Sequence, residues 1–248
     1  MLLLQETKIR LSKAVLLRDA LTGEPVSSGV RIRSLSGGRI EKKRGGHVLF
    51  LDIDEPKIEL EVESPIYQYR KICLKPDQGE ELEDVLMYPS TAYPRRAGYT
   101  TVRGNADPGS ILRFHIEDER DVCRLFGGYK KGEDQISFYV KHKTAGGLWY
   151  IRRKKEASGV YFTLKNLGED SEVYHLRKPL ERDYQIKDTV IYPAWETAAD
   201  EKGAFYMLFE ELPRPECMLY YSYEEAGEER QGETPIVQAR ENHIVKED

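Results

Sequence analysis

The stretch Val15–Leu35, VLLRDALTGEPVSSGVRIRSL, reads as a strand, a tight turn and a second strand. Val15 and Leu17 share one parity before the turn, and Val30 and Ile32 alternate with Arg31 and Arg33 after it. A period of two sets one side of each strand against a core and leaves the other in water. Between them, Asp19 is placed to close an Asx-turn, and Gly23 supplies a positive φ without a Cβ clash. Pro25 has no N–H for a ladder and belongs at a strand start or a sheet edge.

The same pattern extends outward. Ile9 and Leu11 continue the parity of the first strand, and the second is expected to run from Val26 to Leu35. Ser36-Gly37-Gly38 is a turn, and Lys42-Lys43-Arg44-Gly45-Gly46 a basic loop. His47–Ile53, HVLFLDI, is almost continuously apolar, as a central strand buried on both sides should be. Ile58, Leu60 and Val62 alternate with Glu59, Glu61 and Glu63, which predicts an antiparallel strand with one wet face. Ser64-Pro65 breaks it, and Tyr67–Leu74 supplies a last strand. Strands this short need a second sheet to bury their faces, so a β-sandwich is the economical architecture. Residues 76–98 hold prolines and an acidic run. They read as a linker with one helical turn at Glu81–Leu86.

The order D-A-L-T-G-E-P-V-S-S-G-V-R-I, G-G-H-V-L-F-L-D-I, I-E-L-E-V-E-S-P-I-Y resembles the transthyretin-like domains of the carboxypeptidase regulatory-like family, over Ile9 to Leu74. Two departures stand out. Lys42-Lys43-Arg44 replaces the usual Thr–Asp, and Ile66-Tyr67 replaces the usual Gly-Tyr end. That resemblance implies a folding support, spacer or binding module and brings no catalytic residues. Further on, T-V-R-G-N-A-D-P-G-S-I-L-R-F (Thr101–Phe114) resembles the opening of bacterial Ig-like repeats, and T-A-A-D-E-K-G-A-F (Thr197–Phe205) their continuation. Between the two halves lie further strand patterns, around Ile136–Val140, Leu148–Ile151 and Val160–Leu164.

The expected fold class is therefore all-β, with tandem transthyretin-like and Ig-like β-sandwich domains. The first spans residues 1–88 and the linker 89–98. The second spans 99–248 and carries a β-rich insertion at about 118–190. Two small domains divided near 179–188 are the alternative to an insertion. No window of about 12 residues holds a 3.6-residue period with caps, so helix is expected to be nearly absent.

At 248 residues the chain can bury two real cores. Its 16 Tyr against 7 Phe lean towards strands, where tyrosine packs one face and wets its hydroxyl. A net charge of −5 argues against a general nucleic-acid binder, which needs a positive surface to displace counterions. No apolar run approaches the roughly 20 residues of a membrane helix. The N-terminal MLLLQETKIR lacks the apolar core of a signal peptide, so cytoplasmic synthesis is expected. Cys73, Cys123 and Cys217 are odd in number and form no C-x-x-C, which fits free thiols in a reducing compartment.

No chemistry-bearing motif emerges. His47, His115, His142, His175 and His243 never pair at metal-ligand spacing, and an alternating strand position explains each. Glu117-Asp118-Glu119 with Asp121, and Asp52-x-Asp54-Glu55, lack the loop spacing of an EF-hand. There is no G-x-S-x-G elbow and no phosphate loop. Arg152-Arg153-Lys154-Lys155 reads as a wet hairpin turn or an anion contact. The aromatics are the strongest binding candidates: Trp149, Tyr150 and Tyr161, together with Arg152, match the composition of interface anchors. The expectation is a non-catalytic structural or protein-interaction module without cofactor or metal. Its partners would be protein subunits of a larger assembly, such as a phage-tail-like or contractile injection particle. A carbohydrate-binding or adhesin module that stacks sugars on Trp149, Tyr150 and Tyr161 is the alternative.

Overall fold

The computed structural model describes residues 8–76, 82–95, 97–140, 147–165, 173–225 and 227–244. Among them the chain is built from strands, with one short 3-10 turn at Arg44–Gly46, and forms all-β sandwich domains. It divides into two compact units, one of Met1–Asp19 with Glu24–Pro94, the other of Arg95–Asp248 with Ala20–Gly23.

The first unit holds β1 (Leu11–Asp19), β2 (Arg31–Ser34), β3 (Arg39–Lys42), β4 (His47–Leu51), β5 (Ile58–Glu63), β6 (Arg70–Leu74) and β7 (Glu83–Met87). They pair as a four-stranded sheet, β3-β4-β1-β7, and a three-stranded sheet, β2-β5-β6. Val15, Leu17, Val48 and Phe50 from the first meet Ile58, Leu60, Val62 and Leu74 from the second in one core. Each fully buried aliphatic or aromatic side chain there contributes about 1.5–3 kcal/mol. As its glutamates predict, β5 buries Ile58, Leu60 and Val62 and turns Glu59, Glu61 and Glu63 outward. At the turn after β1, Gly23 has φ 74°. The Asp19 carboxylate accepts O–H bonds from Tyr67 at 2.7 Å and Tyr93 at 2.6 Å.

Three expectations change here. The second strand is regular only over Arg31–Ser34, because Gly29 at φ 71° turns the chain after Val26. β4 is central by pairing, between β3 and β1, yet it is not buried throughout: Val48, Phe50 and Leu51 are buried, while His47 and Leu49 are partly exposed. The acidic stretch expected to hold a helical turn is instead strand β7, parallel to β1 from Val15↔Glu83 to Asp19↔Met87. Val85 and Met87 bury into the core, while Lys13–Glu83 (3.0 Å) and Arg18–Asp84 (2.8 Å) anchor the acids to β1. A parallel partner far back in the chain outweighs the local preference of an acidic run for a helix start.

The second unit opens with β8 (Thr100–Asn105), β9 (Ile111–Ile116), β10 (Gln135–Ile136), β11 (Leu148–Arg153) and β12 (Val160–Thr163). It continues with β13 (Tyr174–His175), β14 (Thr189–Ala198), β15 (Ala204–Phe209), β16 (Glu216–Glu225), β17 (Glu228–Val237) and β18 (Glu241–Ile244). Its spine is a six-stranded sheet, β12-β11-β14-β9-β16-β17. Two smaller sheets accompany it, β15-β8-β18 and β10-β13. The register Trp149↔Pro193, Trp195↔Phe114 and Tyr221↔Phe114 puts these side chains on one face. That face serves two cores. At one end Leu112, Phe114 and Leu219 pack with Val102, Phe205 and Met207. At the other, Trp149, Ile151 and Ile191 pack with Ile136, Phe138, Leu176 and Tyr184. The β-rich segment between β9 and β14 therefore extends the main sheet, with β11 paired to β14.

A groove on the outer face of the large sheet

The opposite face of the six-stranded sheet carries the candidate site. Alternation along β9 sends Leu112, Phe114 and Ile116 to the core and turns Arg113 and His115 the other way. His115 sits opposite Ala194 of β14 and opposite Tyr220 of β16. Ala194 is small and buried, so the Tyr150 ring can reach over β14 from β11. Tyr150 stacks on His115 with ring centroids 3.6 Å apart and planes 15° from parallel. Tyr220 stacks near it at 5.2 Å and 18°, and Tyr161 meets its edge at 5.6 Å and 71°. Four neighbouring or near-neighbouring strands thus bring one imidazole and three phenols together.

Charge is added at the end of β9. Arg152 of β11 grips Glu117 with Nε 2.7 Å from Oε1 and Nη2 on Oε2. Such a fork is about twice as strong as a neutral hydrogen bond. Arg152 Nη1 also donates to the carbonyls of Arg153, Lys154 and Glu156, tying the β11–β12 hairpin to the site. In that hairpin the Gly159 N–H donates to Tyr150 Oη at 2.6 Å. A Cβ at Gly159 would lie 2.2 Å from the Ile151 carbonyl oxygen, so only glycine fits.

His115 is 5% exposed. Burial holds its imidazole below the ordinary histidine value, against the pull of Glu117. Tyr161 Oη lies 2.8 Å from Nδ1, and Glu117 Oε1 lies 3.7 Å from Nε2. A neutral ring accepting the Tyr161 O–H at Nδ1 carries its proton on Nε2, facing the carboxylate. Burial alone would raise the Glu117 carboxyl, but the facing His115 and Arg152 outweigh it and hold it down at about 2. Tyr150 and Tyr161 are both pushed up by burial. At neutral pH the site therefore holds a neutral imidazole, protonated phenols and one closed Glu–Arg pair.

These groups line a groove of about 540 Å³, rimmed by Lys154, Glu156, Ser222, Gln231, Gly232 and Glu233. The volume lies within the roughly 300–1,000 Å³ of small-molecule sites. Of the residues singled out in the sequence, Tyr150, Arg152 and Tyr161 meet in this groove. Trp149 does not: it is 1% exposed on the other face, edge-on to Phe138 with centroids 4.9 Å apart. Its expected role as a stacking or docking group is replaced by core packing. Ile136, Phe138, Phe162 and Leu164 are likewise spent on that core.

The remaining candidates resolve into structure. Asp118 is buried, accepting from the Arg120 N–H at 2.9 Å and pairing with Arg214 at 2.5 Å. Asp52 accepts from the Arg10 N–H, and Asp54 pairs with the Arg10 guanidinium. Among the described residues no group of three or more His, Cys, Asp or Glu side chains is arranged to hold a metal ion. The basic run is only partly paired, with Lys154 and Lys155 exposed. Arg152 faces Glu117, Arg153 donates to the Asp183 carbonyl, and Lys154 to the Lys187 carbonyl. His142 lies outside the described residues.

Sequence reading missed His115, Glu117, Tyr220 and Gln231 as members of one site. Alternation shows which side of a strand each faces, but only strand order reveals that β9, β11 and β16 bring them together. No protein-family model matches the chain, and no curated protein sequence matches it.

Proposed function

We propose that this protein is a non-catalytic recognition module whose second unit binds a ligand in the groove over His115. One observation carries this reading: the groove's reactive side chains are engaged by one another. Glu117 is closed by Arg152, and both His115 nitrogens face protein groups. A general base needs a free lone pair near the operating pH, and a nucleophile needs a lowered pKa. Here the carboxylate is held too acidic and the phenols too basic for either task. What remains is a rigid, aromatic, hydrogen-bonding surface, the composition of a binding site. The resemblance of the first unit to transthyretin-like domains of the carboxypeptidase regulatory-like family supports a spacer or support role for it.

The test is retention on the immobilised full chain of a panel of glycans, peptides and nucleic acids. At least one class other than nucleic acid should be retained, eluted with unchanged mass, and lost on Tyr220→Ala. A chemically altered eluate, or retention indifferent to Tyr220, overturns the reading.

A second reading is docking onto protein subunits, as in a phage-tail-like or contractile injection particle with Ig-like parts. It is favoured by Phe126 and Tyr139, which are 54% and 61% exposed on neighbouring segments of the second unit. Replacing both by serine would then abolish co-sedimentation with the particle and leave the groove's ligand bound.

A further inference from the structure

We infer that the ligand of the His115 groove is an uncharged oligosaccharide. The inference rests on the recognition reading above and adds the chemical class. Three features of the lining converge on it.

The first is the aromatic surface. Tyr161 and Tyr220 are half-buried groove residues, fixed by their stacking on or edge contact with His115. Ring planes held this way offer apolar area at little further cost in side-chain entropy. The C–H face of a pyranose is the apolar surface that complements such a plane.

The second is the mixed character of the polar rim. With Arg152, Glu117 and Glu156 engaged by protein partners, Lys154 and the Gln231 amide bring donors, while Glu233 and the Gln231 carbonyl bring acceptors. A hydroxyl donates and accepts at once, so a ligand dense in hydroxyls satisfies both sets. An aliphatic ligand would cover these rim groups without pairing them, at a cost for each.

The third is charge. Carboxylates at Glu117, Glu156 and Glu233 stand beside the cations Arg152 and Lys154, so neither sign dominates. Glu117 is already neutralised by Arg152, and Glu156 by Arg153 and Arg182. Among the described residues a polyanion finds one groove cation without a carboxylate partner, Lys154, whose Nζ bonds the Lys187 carbonyl, and a polycation finds one carboxylate without a close ion pair, Glu233. A charged polymer therefore meets a single counter-charge with one of its own sign beside it, whereas neutral sugars need none.

The experiment is a glycan array probed with the full chain, followed by calorimetric titration of the best uncharged oligosaccharide. Heparin oligosaccharide and a lysine-rich peptide serve as charged comparisons. Uncharged glycans should bind, and Tyr220→Ala should weaken them about tenfold, as loss of a central stacking aromatic does. Gln231→Ala, on the exposed rim where folding is indifferent to it, should weaken them by a smaller factor. Far-UV dichroism of both variants must match the parent. Binding by the lysine-rich peptide or heparin but by no uncharged glycan overturns the sugar assignment and leaves the recognition reading standing. Uncharged glycan binding unaffected by both variants overturns the assignment to this groove. Cleavage of a bound sugar, seen by chromatography, overturns the non-catalytic reading while the ligand class survives.

Discussion

Glu117→Gln removes one charge from the groove and keeps its shape, and its effect should depend on pH in a calculable way. The unfolded chain binds a proton at Glu117 near the ordinary 4.5, whereas the folded protein holds this carboxylate ionised down to about 2. A depressed folded pKa gives stability that is present above about 4.5 and lost as pH falls towards 2. At about 1.4 kcal/mol per unit, the shift corresponds to about 3 kcal/mol for a side chain that is mostly buried. The variant should therefore be about 3 kcal/mol less stable than the parent at pH 7. The gap should shrink between pH 4.5 and 2 as the parent loses its advantage. Urea unfolding followed by tryptophan emission is a suitable assay, because both tryptophans, Trp149 and Trp195, lie in the second unit. His115 also titrates on acidification, but it is common to both proteins and enters the difference only through its contact with Glu117. A gap of the same size at pH 7 and pH 2.5 would refute the reasoning, because the pair would then contribute through packing and not through charge.

Trp149→Ala should destabilise the second unit by about 3–5 kcal/mol, the cost of emptying a large buried aromatic site. Thermal unfolding read through Trp195 would show it. Asp19→Ala should destabilise the first unit by about 2–4 kcal/mol, because the Tyr67 and Tyr93 hydroxyls lose a shared acceptor; protease resistance of the first unit would report it. All three cysteines should react with a thiol reagent in denaturant without reduction, being free. In the native protein Cys73 should react first and Cys123 last, following exposure, as mass mapping of the adducts would reveal.

Local rules made one kind of structure legible and hid another. The β5 pattern was readable because Ile58, Leu60 and Val62 alternate with glutamates, and one buried face suffices to produce that pattern. β7 was hidden because its identity depends on a parallel register with β1, which no local window contains. In the site, alternation told that Trp149 and Tyr150 face opposite ways. It could not tell which way is out, since both faces of β11 are buried from Leu148 to Ile151. His115 looked like an ordinary outward residue of β9. Its burial arises from Tyr150 leaning across Ala194, a contact set by the order of strands and by one small side chain.

The parallel pairing of β8 with β18 has a consequence for how the chain is made. Asn242 bonds back to the Thr101 carbonyl across 141 residues of sequence. The β15-β8-β18 sheet therefore cannot close until translation has passed Ile244, on the order of ten seconds after β8 emerges at roughly 5–20 residues per second. Over that interval the apolar face bearing Phe114, Phe205 and Met207 waits for its last edge. The first unit has all its strands by Met87 and is free to fold on the ribosome well before then. Nascent chains halted between these two points would carry one finished body and one sticky half-sheet, the species that a chaperone must hold.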